Sequence, residues 1–206
     1  MELPTGFLQS RRLSLYSGTV LAIAFGAFGY THLIGYQRSN DWMLLVFCFS
    51  EMLTAVFLVF RSAPETVSVD NFDWIIGIGG TFAPLLFRPS SFGLAPFAKY
   101  AIVAGVMIQI AGLVSLNRSL AIVAAKREIK TKGLYRFVRH PLYASYFLTF
   151  TGYVLMNTSM QNLIIYVTTM GLLFVRVFRE EKHLALDTLY REYMQKVNYR
   201  VIPFVF

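Results

Sequence analysis

Polar residues are sparse along this chain and gather in clusters, which leaves six apolar blocks between them. Residues 15–34 carry no charge and would make about 30 Å of helix at 1.5 Å per residue, the thickness of a bilayer's hydrocarbon core. Residues 42–60 form a similar block with one acid inside it, Glu51. The third block, 74–87, is short and interrupted by Gly77, Gly79, Gly80 and Pro84, whereas the fourth, 94–116, is full length. Residues 141–156 and 159–175 are parted only by Asn157 and Thr158, the spacing of a helical hairpin. The pattern predicts an all-α, polytopic transmembrane protein of about six spans, its last two helices forming a hairpin followed by a cytoplasmic C-terminal helix.

Composition agrees. With 56% hydrophobic and 15% charged residues, the chain is too apolar for an ordinary soluble domain or a disordered segment. Its single cysteine, Cys48, allows no intramolecular disulfide and no cysteine-based metal site. The net charge of +8 is a matter of topology. Lys and Arg are retained on the cytoplasmic side during insertion, and with six spans all 19 of them except Arg38, Arg88 and Lys99 fall on one face. Arg11 and Arg12 lead the first span and Arg61 follows the second, so both termini are expected in the cytoplasm. A basic face beside anionic headgroups accounts for the charge without nucleic acid. Ala22, Ile23 and Ala24 mimic a signal-peptide cleavage site, but the apolar run continues past them, so an uncleaved first helix is expected.

Two polar segments flank the expected hairpin, residues 126–146 before it and 176–203 after it, and the hairpin would bring them to one membrane-surface pocket. His140 precedes Pro141, which disfavours helix for the histidine and starts a helix where no backbone N–H is needed. His140 and Tyr143 then sit at a helix N-terminus, which suits an acceptor group. Gly133 permits a turn just before Tyr135. Lys126, Arg127, Lys130 and Lys132, taken singly, read as anchors for lipid phosphates. Arg176 and Glu180 share a helix face. They form either an interfacial ion pair or a functional pair, with Glu180 toward a cofactor and Arg176 toward an anionic substrate group. Glu51 likewise has two readings: a lining residue of an acceptor tunnel, or a packing residue hydrogen-bonded to a partner such as His32. The glycines at 77, 79 and 80 have no strand before them and read as a helix-packing site, not a dinucleotide loop. No third acid or histidine is spaced to complete a metal site beside Glu180 and Glu181.

The run Gly133, Tyr135, Arg139, His140, Pro141, Tyr143, then Glu180 and Glu181 with Leu184, then Tyr190, Tyr193, Val197, Arg200 and Pro203, resembles the integral membrane methyltransferases typified by isoprenylcysteine carboxyl methyltransferase and the phospholipid N-methyltransferases. The resemblance begins at about Asn117. It divides the chain into N-terminal helices that shape an acceptor pocket, 1–116, and a cofactor-binding half, 117–206. It implies S-adenosylmethionine held by Arg127, Glu128, Ile129, Lys130, Tyr135, His140, Pro141, Leu142, Tyr143 and Glu180. Arg176 falls on the family's substrate-facing arginine, so the resemblance makes Arg176 and Glu180 the catalytic pair. Ser145 stands where the family commonly has glycine, which implies a narrower pocket or an added hydroxyl contact.

The implied activity is methyl transfer to a lipid or lipidated acceptor at the membrane–cytoplasm interface. O-methylation of a prenylcysteine-like carboxylate or another lipid is put first, and N-methylation of a phospholipid amine is the alternative. Such a transfer needs no metal, and a carboxylate acceptor needs no base. For an amine or phenol the available bases are Glu180, Glu181 and His140. A nicotinamide-dependent membrane reductase and a non-catalytic lipid-binding protein on the same fold are the competing classes.

Overall fold

The computed structural model describes residues 11–62 and 64–206. Expectations placed on residues 1–10, and on the side chains of Arg11, Arg12, Ala22 and Arg118, lie outside the described residues. Seven α-helices make up the described chain: α1 Arg11–Ser39, α2 Met43–Val59, α3 Asn71–Phe82, α4 Lys99–Leu116, α5 Pro141–Met156, α6 Met160–Leu184 and α7 Thr188–Lys196. The extended structure among these residues is a two-residue antiparallel pair, β1 Thr66–Val67 with β2 Ala125–Lys126. Two helices, Pro96–Leu116 with its leading turn and Met160–Leu184, are long and apolar enough to cross a membrane, and Met43–Val59 is apolar but shorter.

Local chemistry sets the boundaries. α5 starts at Pro141, whose missing N–H is no loss at a first helical position, with His140 as the residue before it. α3 has only 12 residues, about 18 Å of helix, because Pro84 removes a donor and the chain tightens into a 3-10 turn over Ala83–Leu86. α6 does not stop with the apolar block but runs on to Leu184. Ser159 caps its start, accepting from the Asn162 N–H at 3.1 Å.

α5 and α6 are joined by a tight turn, yet α5 packs chiefly against α4, and α6 against α3. The α4–α5 contact depends on backbones meeting where a side chain would intrude. A Cβ added at Gly105 would sit 2.2 Å from the Thr149 hydroxyl and 2.8 Å from the Thr149 amide nitrogen. Gly105→Ala is therefore expected to destabilise the fold by about 1–3 kcal/mol, seen as a lower unfolding midpoint in detergent. An unchanged midpoint would mean the helices can part without cost. The glycine cluster of α3 behaves as a packing site: Gly79 and Gly80 face Leu172 and Leu173 of α6, and Gly77 abuts the Ile122 carbonyl.

Aromatic residues fill the core between α1, α2 and α5. Phe47 stacks on Tyr153 at 4.1 Å between centroids, with Phe28, Phe87 and Phe150 around them. The Tyr153 hydroxyl is satisfied by His32 Nε2 at 2.8 Å, as a buried tyrosine requires. The C-terminal segment closes over the turn before α5. The amides of Arg139 and His140 donate to the carbonyls of Tyr199 and Arg200 at 2.9 and 2.7 Å, and the Tyr193 hydroxyl donates to the Tyr135 carbonyl at 2.6 Å. Asp187 caps α7 through the Leu189 amide and pairs with Lys126 at 2.5 Å, which ties α7 to the β pair.

Candidate functional site

One cavity opens between the end of α6, the turn before α5 and the loop after β2. Gly133 has φ +63° and lies against Ser115, so only glycine fits the turn that carries Tyr135 to the wall. Arg127, Glu128, Ile129, Lys130, Tyr135, His140, Leu142, Tyr143, Arg176, Glu180 and Glu51 all line this cavity. Pro141 does not: it is buried at the first position of α5, where it orients the neighbours that reach the wall.

The two adjacent acids of α6 have separate duties, because successive helical residues point about 100° apart. Glu180 faces the cavity and accepts from Arg176 Nε at 3.0 Å. Arg176 also donates to the Thr81 hydroxyl at 3.2 Å and to the Ala121 carbonyl at 2.6 Å. These three bonds hold the guanidinium at the wall and leave two of its five N–H donors without a hydrogen bond among the described residues. Glu181, in contrast, is off the wall. It accepts from Arg139 Nε at 2.6 Å, Arg200 Nε at 2.8 Å and His140 Nε2 at 3.2 Å, and so ties the turn before α5 to the C-terminal segment.

A carboxylate only accepts hydrogen bonds, so the contact with Glu181 puts a proton on His140 Nε2. His140 Nδ1 is left 3.9 Å from Glu180 Oε2. The His140 ring meets the Tyr143 ring edge to face at 5.4 Å. The Tyr143 hydroxyl is buried beside Glu180 without a hydrogen bond of normal geometry.

Along the loop, Glu128 and Lys130 pair with each other at 2.6 Å. Lys126 is held by Asp187 and by Glu65, which raise its pKa above the ordinary lysine value. Arg127 is 8% exposed and donates from Nε to the Ser62 carbonyl at 3.0 Å, while its Nη1 is buried without a partner. Burial, with Arg61 close by, pulls the Arg127 pKa down to about 10.

Part of the wall is apolar, with Phe25, Leu58, Leu116 and Phe150. Glu51 sits among them, 4% exposed, with Oε1 unpartnered. His32 is not its partner, being engaged with Phe28 and Tyr153 instead. Ser145 also departs from its expected place. It is fully buried against α4 and donates to the Leu142 carbonyl at 2.7 Å, so it neither narrows the cavity nor contacts a ligand there.

Sequence reasoning did not assign Tyr146, Thr54, Thr81, Tyr190 and Tyr193 to this wall. Two spacings point to some of them: Glu51 with Thr54, and Tyr190 with Tyr193, are three residues apart and share a helix face. The contact between Thr81 and Arg176 joins helices distant in the chain and leaves no local pattern.

The family model for phospholipid methyltransferase matches residues 97–192, which run from the start of α4 into α7 and include most of the cavity wall. No curated protein matches the chain. The matched stretch, just under half of the chain, is consistent with an S-adenosylmethionine-dependent methyltransferase of this general kind.

Proposed function

We propose that the chain is an integral membrane enzyme that transfers a methyl group from S-adenosylmethionine to a lipophilic acceptor at the membrane–cytoplasm interface. The supporting observation is the convergence of the polar residues from two distant segments on one cavity, with a buried polar atom of Arg127 lacking a partner. A buried polar group without a partner costs free energy and calls for a ligand. The donor set fits the cofactor: Arg127 and Lys130 suit a carboxylate, Glu180 suits a cationic or hydroxyl group, and Tyr135, Tyr143, Tyr190 and Tyr193 offer ring faces to a cation or an adenine. Residues 127–130, Tyr135, His140, Leu142, Tyr143 and Glu180 would hold the group, with Pro141 acting by starting α5.

When bound, S-adenosylmethionine supplies an electrophilic methyl group on a sulfonium. The chain's own part is positioning and exclusion of water. Arg176, fixed by three hydrogen bonds, directs its remaining donors at the acceptor and withdraws no proton. The apolar part of the wall receives a hydrocarbon tail, and Glu51 meets a polar group borne by that acceptor. In this reading residues 1–116 shape the acceptor side and 117–206 the cofactor side, in a six-span arrangement with both termini cytoplasmic.

Arg176 on the wall favours a carboxylate acceptor, since a guanidinium fork matches two carboxylate oxygens. The match to the phospholipid methyltransferase model favours a lipid amine instead. Base treatment of methyl-labelled product separates them, because an ester releases methanol and an N-methyl amine keeps its label.

Thermal unfolding of the purified protein tests the cofactor class. S-adenosylhomocysteine is expected to raise the midpoint while NADPH leaves it unmoved, because a ligand stabilises only the state that binds it. The reverse result would point to a reductase, and no response to either to a protein that binds neither cofactor.

A further inference from the structure

Where the β pair meets the cavity wall, Arg127 reaches the backbone next to Arg61. Arg127 directly follows β2, and its Nε bond to the Ser62 carbonyl brings it beside Arg61. Arg61 is near enough for its charge to act on Arg127. Each arginine has a buried Nη1 without a hydrogen-bond partner, and Arg127 lines the cavity. Among the described residues neither guanidinium makes an ion pair. The nearest acids in sequence are already taken: Glu65 by Lys126 at 2.9 Å and Glu128 by Lys130 at 2.6 Å.

Arg127 is buried and Arg61 half-buried, so holding these two like charges close together without a counter-ion is unfavourable, and the strain is relieved when an anion enters between them. A planar fork of N–H donors matches the paired oxygens of a carboxylate or phosphate better than an ammonium does. We propose that Arg61 and Arg127 form an anion subsite at the edge of the cavity, binding the carboxylate or phosphate oxygens of a bound ligand. Arg61 precedes residue 97, so half of this subsite comes from the part of the chain outside the family match. Two ligands carry the required chemistry: the amino-acid end of the methyl donor and the phosphate of a phospholipid headgroup.

Calorimetry and thermal unfolding on the detergent-solubilised full chain distinguish them. The calorimetric probes are S-adenosylhomocysteine and 5′-methylthioadenosine, which lacks the carboxylate. The lipid probe is phosphatidylglycerol against phosphatidylcholine, read as a shift in unfolding midpoint. If the methyl donor is the source, Arg61→Gln and Arg127→Gln each weaken S-adenosylhomocysteine 10- to 100-fold and leave 5′-methylthioadenosine unchanged. If the headgroup is the source, S-adenosylhomocysteine binding is unmoved and the stabilisation by phosphatidylglycerol is lost. Arg61→Lys keeps the charge without the fork, and a partial response in this milder variant separates recognition from misfolding. The proposal is overturned if neither probe responds to either Gln variant, or if Arg61→Lys responds as wild type while the Gln variants fail to fold. The lipid arm does not depend on the proposed methyl donor: wild type that binds no S-adenosylhomocysteine would defeat that reading and still leave the subsite to be decided by phosphatidylglycerol.

Discussion

Glu181→Ala is expected to destabilise the protein by about 3–5 kcal/mol, the usual cost of removing one partner from a buried charge cluster. Glu181 is 5% exposed and holds Arg139, Arg200 and His140 at once. Its loss would leave the Arg139 guanidinium buried with only the carbonyls of Val197 and Asn198 for company. The C-terminal segment would also lose the ion pair through Arg200, leaving the backbone bonds from Arg139 and His140 to Tyr199 and Arg200 and the Tyr193 hydroxyl bond to the Tyr135 carbonyl. For a chain of this length the unfolding midpoint should fall by roughly 6–20 °C. Since Tyr190 and Tyr193 line the cavity from α7, ligand binding should weaken along with stability. A variant with the wild-type midpoint would show that the network is not what holds the segment down.

Glu180→Gln should behave in the opposite way. Glu180 is more accessible than its neighbour, and an amide oxygen can still accept from Arg176 while His140 and Tyr143 stay beside it, so the fold should tolerate an amide there. The negative charge is what is lost. A hydrogen bond to a charged group contributes about 1.5–3 kcal/mol, which corresponds to roughly 10- to 150-fold in affinity. S-adenosylhomocysteine binding measured by calorimetry should fall by that factor with the unfolding midpoint nearly unchanged. Undiminished affinity would remove Glu180 from the proposed cofactor site. Neighbouring acids with opposite responses, one structural and one ligand-directed, would be a direct consequence of the helical turn between them.

Much of this organisation was legible from local chemistry. The bounds of α5 follow from Pro141 and from the Asn157 turn, and the helix-packing reading of Gly79 and Gly80 needed only their setting in an apolar run. The short α3 has its cause in Pro84. Long-range pairings were not legible. The β1–β2 pair is two residues long on each side, too short for alternation to register, and yet it brings Arg61 to Arg127. Glu51 and His32 looked like partners because each is a lone polar group in an apolar helix, but the Tyr153 hydroxyl had the nearer need of His32. Only the resemblance, in which Ser145 stands at a glycine position, points Ser145 to the pocket. A two-residue step on a helix turns the side chain by about 200°, and Ser145 is buried off the cavity wall with its hydroxyl on the Leu142 carbonyl of its own helix.

The proposed activity is delivery of a methyl group to a lipid from a donor held in this cavity. Its most direct test is incubation of the purified protein with methyl-tritiated S-adenosylmethionine and total lipid extract, followed by counting the organic phase. Label in the organic phase with wild type, reduced at least tenfold in Glu180→Gln, is the predicted result. Tight binding of S-adenosylhomocysteine without transfer would contradict the catalytic part of the account, and the absence of both would contradict all of it.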